Sequence, residues 1–253
     1  MQYRAHHRSL ELIGETMNTM NNNRNIWVIG ASTGIGKALV EKLSTSDSTI
    51  FISARNRVAL EEIAGALNTN VEVLPLDITD QLSVNTAADF IAKRAGKLDQ
   101  VIVNAGTCEY IDSNTVDTEA VKRVMDTNFN GAINVINAAL PLLRAGLVID
   151  GKRAPQLAVM SSSVTYQALP RAGAYGASKA ALRYFVESLK LDLQHEGIDI
   201  RLISPGFVKT PLTDKNDFDM PFIIDVDDAA NRIVSGLASK KFDIHFPSRF
   251  TRI

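Results

Sequence analysis

Ile26-Trp27-Val28-Ile29-Gly30-Ala31-Ser32-Thr33-Gly34-Ile35-Gly36-Lys37-Ala38-Leu39 runs from an apolar stretch, through a turn holding three glycines, into an amphipathic stretch. The passage reads as strand, turn and helix. Gly30, Gly34 and Gly36 let the backbone turn sharply and approach a pyrophosphate, which the free N–H groups and dipole of a helix N-terminus stabilise. Ser32, Thr33 and Ile35 complete the expected contact loop. The spacing is G-x-x-x-G-x-G and not the commoner G-x-G-x-x-G, and glycines in such a turn also serve purely structural ends. Position favours nucleotide binding, because this is the first strand–turn–helix unit of the chain.

Outward from that unit, short apolar runs rich in Val, Ile and Leu occur at 26–29, 49–54, 71–76, 100–103, 157–161, 199–203 and 242–245. They lack strict polar alternation, as strands covered on both faces do. Helical patterns begin near Gly34, Asn56, Gln81, Thr118, Ala174 and Val226. This alternation predicts an α/β fold: a Rossmann-type, doubly wound parallel sheet of about seven strands with helices on both faces. No internal repeat or linker interrupts it, so 25–253 is expected to form one catalytic domain. Residues 1–24, ending in a polar run, read as a flexible extension. Met17 and Met20 are alternative starts.

The bulk properties exclude several function classes. Lys plus Arg number 27 against 28 Asp plus Glu, for a net charge of −1. No basic field therefore points to nucleic acid or to an anionic membrane. No run approaches the ~18 apolar residues of a membrane span, and no signal peptide is evident. Cys108 is the single cysteine, so no intramolecular disulfide forms, and no Cys/His spacing suggests a metal. A cytoplasmic protein is expected. Cys108 reads as an inert small side chain for want of a basic neighbour, although its place in the chain sets it near the loops discussed below.

Further along, the second strand ends in Ser53-Ala54-Arg55-Asn56. An NAD-selective site usually places an acid here, on the ribose 2′-OH. Ala54 stands there instead, and the Arg55 guanidinium offers a charge-assisted partner for the 2′-phosphate of NADP. NADP(H) is thus favoured over NAD(H). Asp77-Ile78 closes the third strand, where Asp77 either hydrogen-bonds the adenine or caps the helix near Gln81.

Tyr175-Gly176-Ala177-Ser178-Lys179 places a phenol and an ammonium at i and i+4, on one helix face. A free phenol, with pKa near ~10, is a poor base at neutral pH. A nearby ammonium and a cationic nicotinamide favour the phenolate and make Tyr175 a candidate general acid/base. In other settings such a pair is ordinary surface chemistry.

These features resemble the short-chain dehydrogenase/reductase family. The similarity spans 26 to about 247 and includes the glycine loop, Asp77, Asn104-Ala105-Gly106, Asn128, the run Ser161-Ser162-Ser163, Tyr175-x-x-x-Lys179 and Pro205-Gly206-x-Val208-x-Thr210. Where the family usually has Asn-Asn-Ala-Gly, this chain has Val103-Asn104-Ala105-Gly106. The resemblance implies that Tyr175 is the general acid/base, that Lys179 lowers its pKa and holds the nicotinamide ribose, and that Ser162 bonds the substrate oxygen. It implies that Asn128 anchors a proton-relay water, and that Pro205, Gly206, Val208 and Thr210 support the nicotinamide end. The implied activity is hydride transfer between nicotinamide and a carbonyl or secondary alcohol. A non-catalytic dinucleotide sensor on the same fold is the alternative.

The segment 211–222 supplies Leu212, Phe218, Met220 and Phe222, either as an apolar lid or as ordinary loop packing. Arg171 either meets an anionic substrate or is a plain loop residue. Long helical patterns at 118–143 and 174–195 imply, through the resemblance, a homodimer or homotetramer. The short tail after 247 suggests a trimmed C-terminus.

Overall fold

The structure is a computed structural model and describes residues 24–44, 47–111, 114–147 and 154–247. The expectations about an N-terminal extension, an alternative start and a trimmed C-terminus concern residues outside these, save Arg24. Seven strands form a single all-parallel sheet: β1 (Asn25–Ile29), β2 (Thr49–Ser53), β3 (Asn70–Val73), β4 (Gln100–Val103), β5 (Gln156–Met160), β6 (Asp199–Pro205) and β7 (Asp243–Phe246). Their order is β3-β2-β1-β4-β5-β6-β7.

Between them lie α1 (Gly34–Leu43), α2 (Arg57–Gly65), α3 (Gln81–Ala95), α4 (Thr118–Met125), α5 (Gly131–Ala145), α6 (Gly173–Asp192) and α7 (Val226–Ala238). Strand residues alternate between two apolar layers, as the period of two requires. Trp27, Phe51 and Val101 face α3, α5 and α6 through Ile91, Val135 and Leu182. Ile26, Val28 and Ile50 face α1, α2 and α7 through Leu39, Leu60 and Ile233. A sheet covered on both sides explains the uninterrupted apolar runs. The α/β, doubly wound architecture is the one the sequence predicts.

Several boundaries differ from the sequence expectation. β3 stops at Val73, although Leu74 N and Leu76 N still donate to the Ile52 and Ala54 carbonyls. β6 runs on to Pro205. The expected single helix over 118–143 is interrupted by a π-helical turn at Asp126–Asn130, where Gly131 N donates to the Asp126 carbonyl five residues back.

At the N-terminal ends of the strands, a polar ladder crosses the sheet. Gln100 Nε2 donates to Gln156 Oε1 at 2.6 Å, and Gln156 Nε2 donates to Asp199 Oδ2 at 2.7 Å. Parallel pairing sets Gln100 beside Gln156 and Gln156 beside Asp199.

Candidate active site

The strand order reverses between β1 and β4, and a crevice opens beyond their C-terminal ends, where doubly wound sheets bind ligands. Here it is a cleft of about 1150 Å³. Asn104 Nδ2 ties the two strand ends together by donating to the Gly30 carbonyl at 2.9 Å. Gly36 is forced to be glycine by the same turn, because a Cβ there would lie 2.0 Å from that carbonyl oxygen.

The start of α1 differs from those of the next three helices. Asn56, Asp80 and Asp117 cap α2, α3 and α4 with side-chain acceptors. Thr33 gives α1 no such cap, and no acid occupies its first turn. The N–H groups of this helix end are left for an anion in the cleft, which Ser32, Thr33, Gly34 and Ile35 line.

Arg55, Asp77 and Ile78 line the cleft beyond β2 and β3. Asp77 does not cap α3; Asp80 does. Asp77 Oδ1 instead accepts from Thr79 N at 2.9 Å and Thr79 Oγ1 at 2.8 Å. Burial disfavours its charge, yet these two bonds and the Arg55 charge together hold its carboxyl below the ordinary value. Asn104, Ala105 and Gly106 line the floor, and Pro205, Gly206, Val208 and Thr210 the opposite wall.

The tyrosine, lysine and serine meet at one end of this cleft. Tyr175 and Lys179 lie on the first turns of α6, and Ser162 follows β5. Of the three serines, Ser162 is the one whose hydroxyl acts on the Tyr175 phenol, favouring its ionised form. Ser161 Oγ turns to the Lys179 carbonyl, and Ser163 is buried in a short 3-10 turn. Lys179 is buried, and its Nζ donates to the Met160 carbonyl at 2.9 Å.

Burial dominates the titration of both groups. It pushes Tyr175 up to about 12, with the Ser162 bond opposing and Cys108 reinforcing. It brings Lys179 down to about 8, against an upward pull from Cys108.

Asn128 lies in the π-helical turn, fully buried behind the cleft and not on its lining. Its Oδ1 accepts from Thr107 N at 2.7 Å, and its Nδ2 donates to the Thr107 carbonyl at 2.8 Å and to Ser178 Oγ at 2.9 Å. Gly106 separates it from the lysine: a Cβ there would stand 3.2 Å from Asn128 Oδ1 and 3.3 Å from Lys179 Nζ. Ser178 is a site residue that the sequence reading missed, although it stands inside the quoted Tyr175-to-Lys179 segment. The Met160 carbonyl, being backbone, carries no residue-type signal.

Cys108 does have a basic neighbour, Lys179, contrary to the expectation from its local sequence. Burial outweighs it: desolvation pushes the thiol up, a Tyr110 bond lowers it, Glu109 raises it and Lys179 lowers it. The net shift is upward, which favours the protonated thiol. No cluster of His, Cys, Asp and Glu among the described residues is arranged to hold a metal, and no described helix is long and apolar enough to cross a membrane.

The fold has known counterparts. A family model described as short chain dehydrogenase matches residues 24–220. A Myxococcus xanthus (strain DK1622) protein, named only as an uncharacterized oxidoreductase, is 34% identical over 227 residues, covering 88% of this chain and 87% of the relative. The alcohol dehydrogenase of the archaeon Thermococcus sibiricus, solved with 5-hydroxy-NADP, matches at TM-score 0.79 and 22% identity, over 91% of this chain and 98% of that one. A short chain dehydrogenase/reductase from Burkholderia phymatum, solved with NAD, matches at TM-score 0.78 and 19% identity, over 88% of each chain. At these identities the solved structures speak to the fold. The family match and the relative go further: the chain is an oxidoreductase and belongs to the short-chain dehydrogenase family.

Proposed function

We propose that the protein is an NADP(H)-dependent oxidoreductase acting on a carbonyl or secondary alcohol, with Tyr175 as general acid/base. The observation that carries this reading is the meeting of Tyr175, Ser162 and Lys179 in the same cleft as the uncapped start of α1. A dinucleotide fits that cleft chemically: free N–H groups for the pyrophosphate, Arg55 for a 2′-phosphate, and the wall from Pro205 to Thr210 beside the reacting end.

Once bound, the nicotinamide supplies the hydride for reduction or accepts it in oxidation. The chain's residues handle the substrate oxygen and its proton. In reduction the Tyr175 phenol donates its proton to that oxygen, and Ser162 holds the oxygen by a preorganised hydrogen bond. In oxidation the same oxygen of Tyr175 takes the proton back. Lys179 lies beside this path and favours the phenolate once cofactor and substrate exclude water. Asn128 fixes the loop after β4 and the helix that bears Tyr175. In this reading Asn128 also anchors a proton-relay water.

NADP preference rests on Arg55 lining the cleft with Ala54 where an acid would select NAD. Exposed Tyr184 and Leu191 on α6 support assembly into a homodimer or homotetramer, which sedimentation at micromolar concentration tests. A cytoplasmic location remains part of the same reading.

Thermal stabilisation by NADPH and by NADH over a concentration series is the deciding experiment, because a ligand bound only by the native state raises stability with its affinity. We expect a larger shift with NADPH, reduced by Arg55→Ala. Tyr175→Phe should keep the shift and lose roughly a hundred- to ten-thousandfold in turnover. No shift with either nucleotide, or full turnover by Tyr175→Phe, overturns the proposal.

A further inference from the structure

The serine of the site is carried by a small turn whose far end is tied down outside the cleft. Ser162 caps the 3-10 turn Ser163–Thr165. Val164 N donates to Ser162 Oγ at 3.2 Å, which fixes that oxygen and leaves its O–H as a donor. Thr165 Oγ1 donates to the Ser162 carbonyl at 2.9 Å, and Tyr166 N to the Ser163 carbonyl at 3.0 Å. These bonds make the turn a unit with Ser162, but they are local and do not set where the unit stands on the body of the protein.

Tyr166 supplies that reference. Its hydroxyl donates to Asp243 Oδ2 at 2.7 Å, from the turn after β5 to the edge strand β7, 77 residues on. Its ring meets the His245 ring edge-on, with centroids 6.3 Å apart. The same Asp243 oxygen stands 2.9 Å from Arg183 Nη1, and the Arg183 guanidinium lies over the Tyr166 ring at 5.1 Å. Glu187, one turn further along α6, holds Arg183 Nε at 2.8 Å. The Asp243 and Arg183 side chains are only 17% and 24% exposed, so their attraction is screened less than that of a surface ion pair.

Arg183 brings the other half of the site into this cluster. Tyr175, Lys179 and Arg183 follow at i, i+4 and i+8 and share one face of α6. One carboxylate oxygen on β7 therefore joins the turn that carries Ser162 to the helix face that carries Tyr175 and Lys179. Tyr166, Arg183 and Asp243 are not on the lining of the cleft. Burial, with the Asp243 carboxylate behind it, pushes the Tyr166 phenol up against the pull of Ser204 and Arg183, which keeps it a neutral donor.

We propose that Asp243 is a positioning residue for the reaction: through Tyr166 and Arg183 it holds the Ser162 turn at a fixed distance from the Tyr175 helix. The proposal rests on the carbonyl-oxidoreductase reading and adds to it three residues outside the cleft. A displaced Ser162 would still be present, but its O–H would no longer meet the substrate oxygen where Tyr175 delivers the proton.

Turnover and a signal that needs no substrate test this side by side. NADPH-dependent reduction of 4-nitrobenzaldehyde and of cyclohexanone reads the reaction. The fluorine signal of Tyr175 in 3-fluorotyrosine-labelled protein, identified by its loss in Tyr175→Phe, reads the placement of Ser162 against Tyr175. Tyr166→Phe removes one hydroxyl and keeps the ring against Arg183 and His245, so the fold is retained; Asp243→Ala removes the shared carboxylate itself. We expect each to lower kcat roughly tenfold with NADPH affinity unchanged. Both should move the Tyr175 signal in the direction that Ser162→Ala moves it. In the Ser162→Ala background, Tyr166→Phe should cost less than about twofold more and leave the signal in place, because it acts through Ser162. A merely structural contact would give the same loss in both backgrounds. Full turnover by both single variants, losses that multiply in the double variant, or a Tyr175 signal that neither variant moves overturns the proposal. A signal that moves as expected without turnover of either carbonyl upholds the placement and refutes the carbonyl-oxidoreductase reading instead.

Discussion

Asn128 donates to Ser178 Oγ at 2.9 Å, and that hydroxyl donates to the Tyr175 carbonyl at 2.8 Å. The pair links the π-helical turn before α5 to the second turn of α6, across fifty residues of sequence. Because Asn128 also holds both backbone groups of Thr107, one buried carboxamide sets the loop after β4 relative to the helix bearing Tyr175 and Lys179. The π-helical turn supplies the extra residue that brings the carboxamide to this position, a frequent use of such turns.

Ser178→Ala should therefore destabilise the protein by about 1–2 kcal/mol, since a buried donor loses one of two acceptors. Asn128→Leu removes three bonds and should cost more, about 3 kcal/mol or above. Urea unfolding of both variants tests this; a smaller loss for Asn128→Leu than for Ser178→Ala would contradict the assigned hierarchy.

A second expectation concerns pH. Lys179 titrates at about 8 in the folded protein, below the ordinary 10.5 that it regains on unfolding. Between those values the unfolded chain binds more protons, so this residue makes stability rise with pH through that window. Tyr175 acts in the opposite sense, but only from its ordinary 10 up to about 12. Unfolding free energies at pH 7.5 and 9.5 should thus differ by on the order of 2 kcal/mol more in the wild type than in Lys179→Met. Equal pH dependence in the two proteins would show that the ammonium is not desolvated in this way.

The phosphate turn offers a sharper contrast. A Cβ on Gly36 would collide with the backbone carbonyl of Gly30, which cannot swing aside as a side-chain end would. That carbonyl also accepts from Asn104, so moving it loosens the junction of β1 and β4. Gly36→Ala should abolish stabilisation by dinucleotide and lower the melting temperature. Retained nucleotide response in a stably folded Gly36→Ala protein would mean that the turn tolerates rearrangement.

Much of this arrangement is legible in the sequence, for physical reasons. A strand buried on both faces leaves an unbroken apolar run, and the i, i+4 spacing places Tyr175 and Lys179 on one face of a helix. Other features leave weaker traces. Ala120, Val124, Asn128 and Ala132 recur every four residues and are all buried, so the buried stripe passes through the π-helical turn without a break. Ser178 is a small polar residue in a helix, and only its partner on another element gives it a role. Arg171 illustrates the same limit: its sequence context leaves an anion-binding part open, whereas Asp217 and Tyr110 reach it from distant segments.

The ladder at the opposite edge of the sheet yields the final prediction. Gln156 accepts from Gln100 and donates from Nε2 to Asp199 Oδ2 and to the Leu237 carbonyl at 3.1 Å. Gln100 and Gln156 are both buried, so neither amide has water as a substitute partner. Because parallel register aligns the three side chains, a one-residue slip of β5 would break every rung and turn its apolar residues to the wrong layer. Gln156→Leu keeps roughly the same volume but leaves the Gln100 amide and the Leu237 carbonyl short of partners; a loss of roughly 2–3 kcal/mol is expected. Adding Gln100→Leu removes one of the groups left unsatisfied, so the double variant should lose less than the sum of the two single losses. Strict additivity in urea unfolding would mean that the rungs act independently and that the ladder does not specify register as a unit.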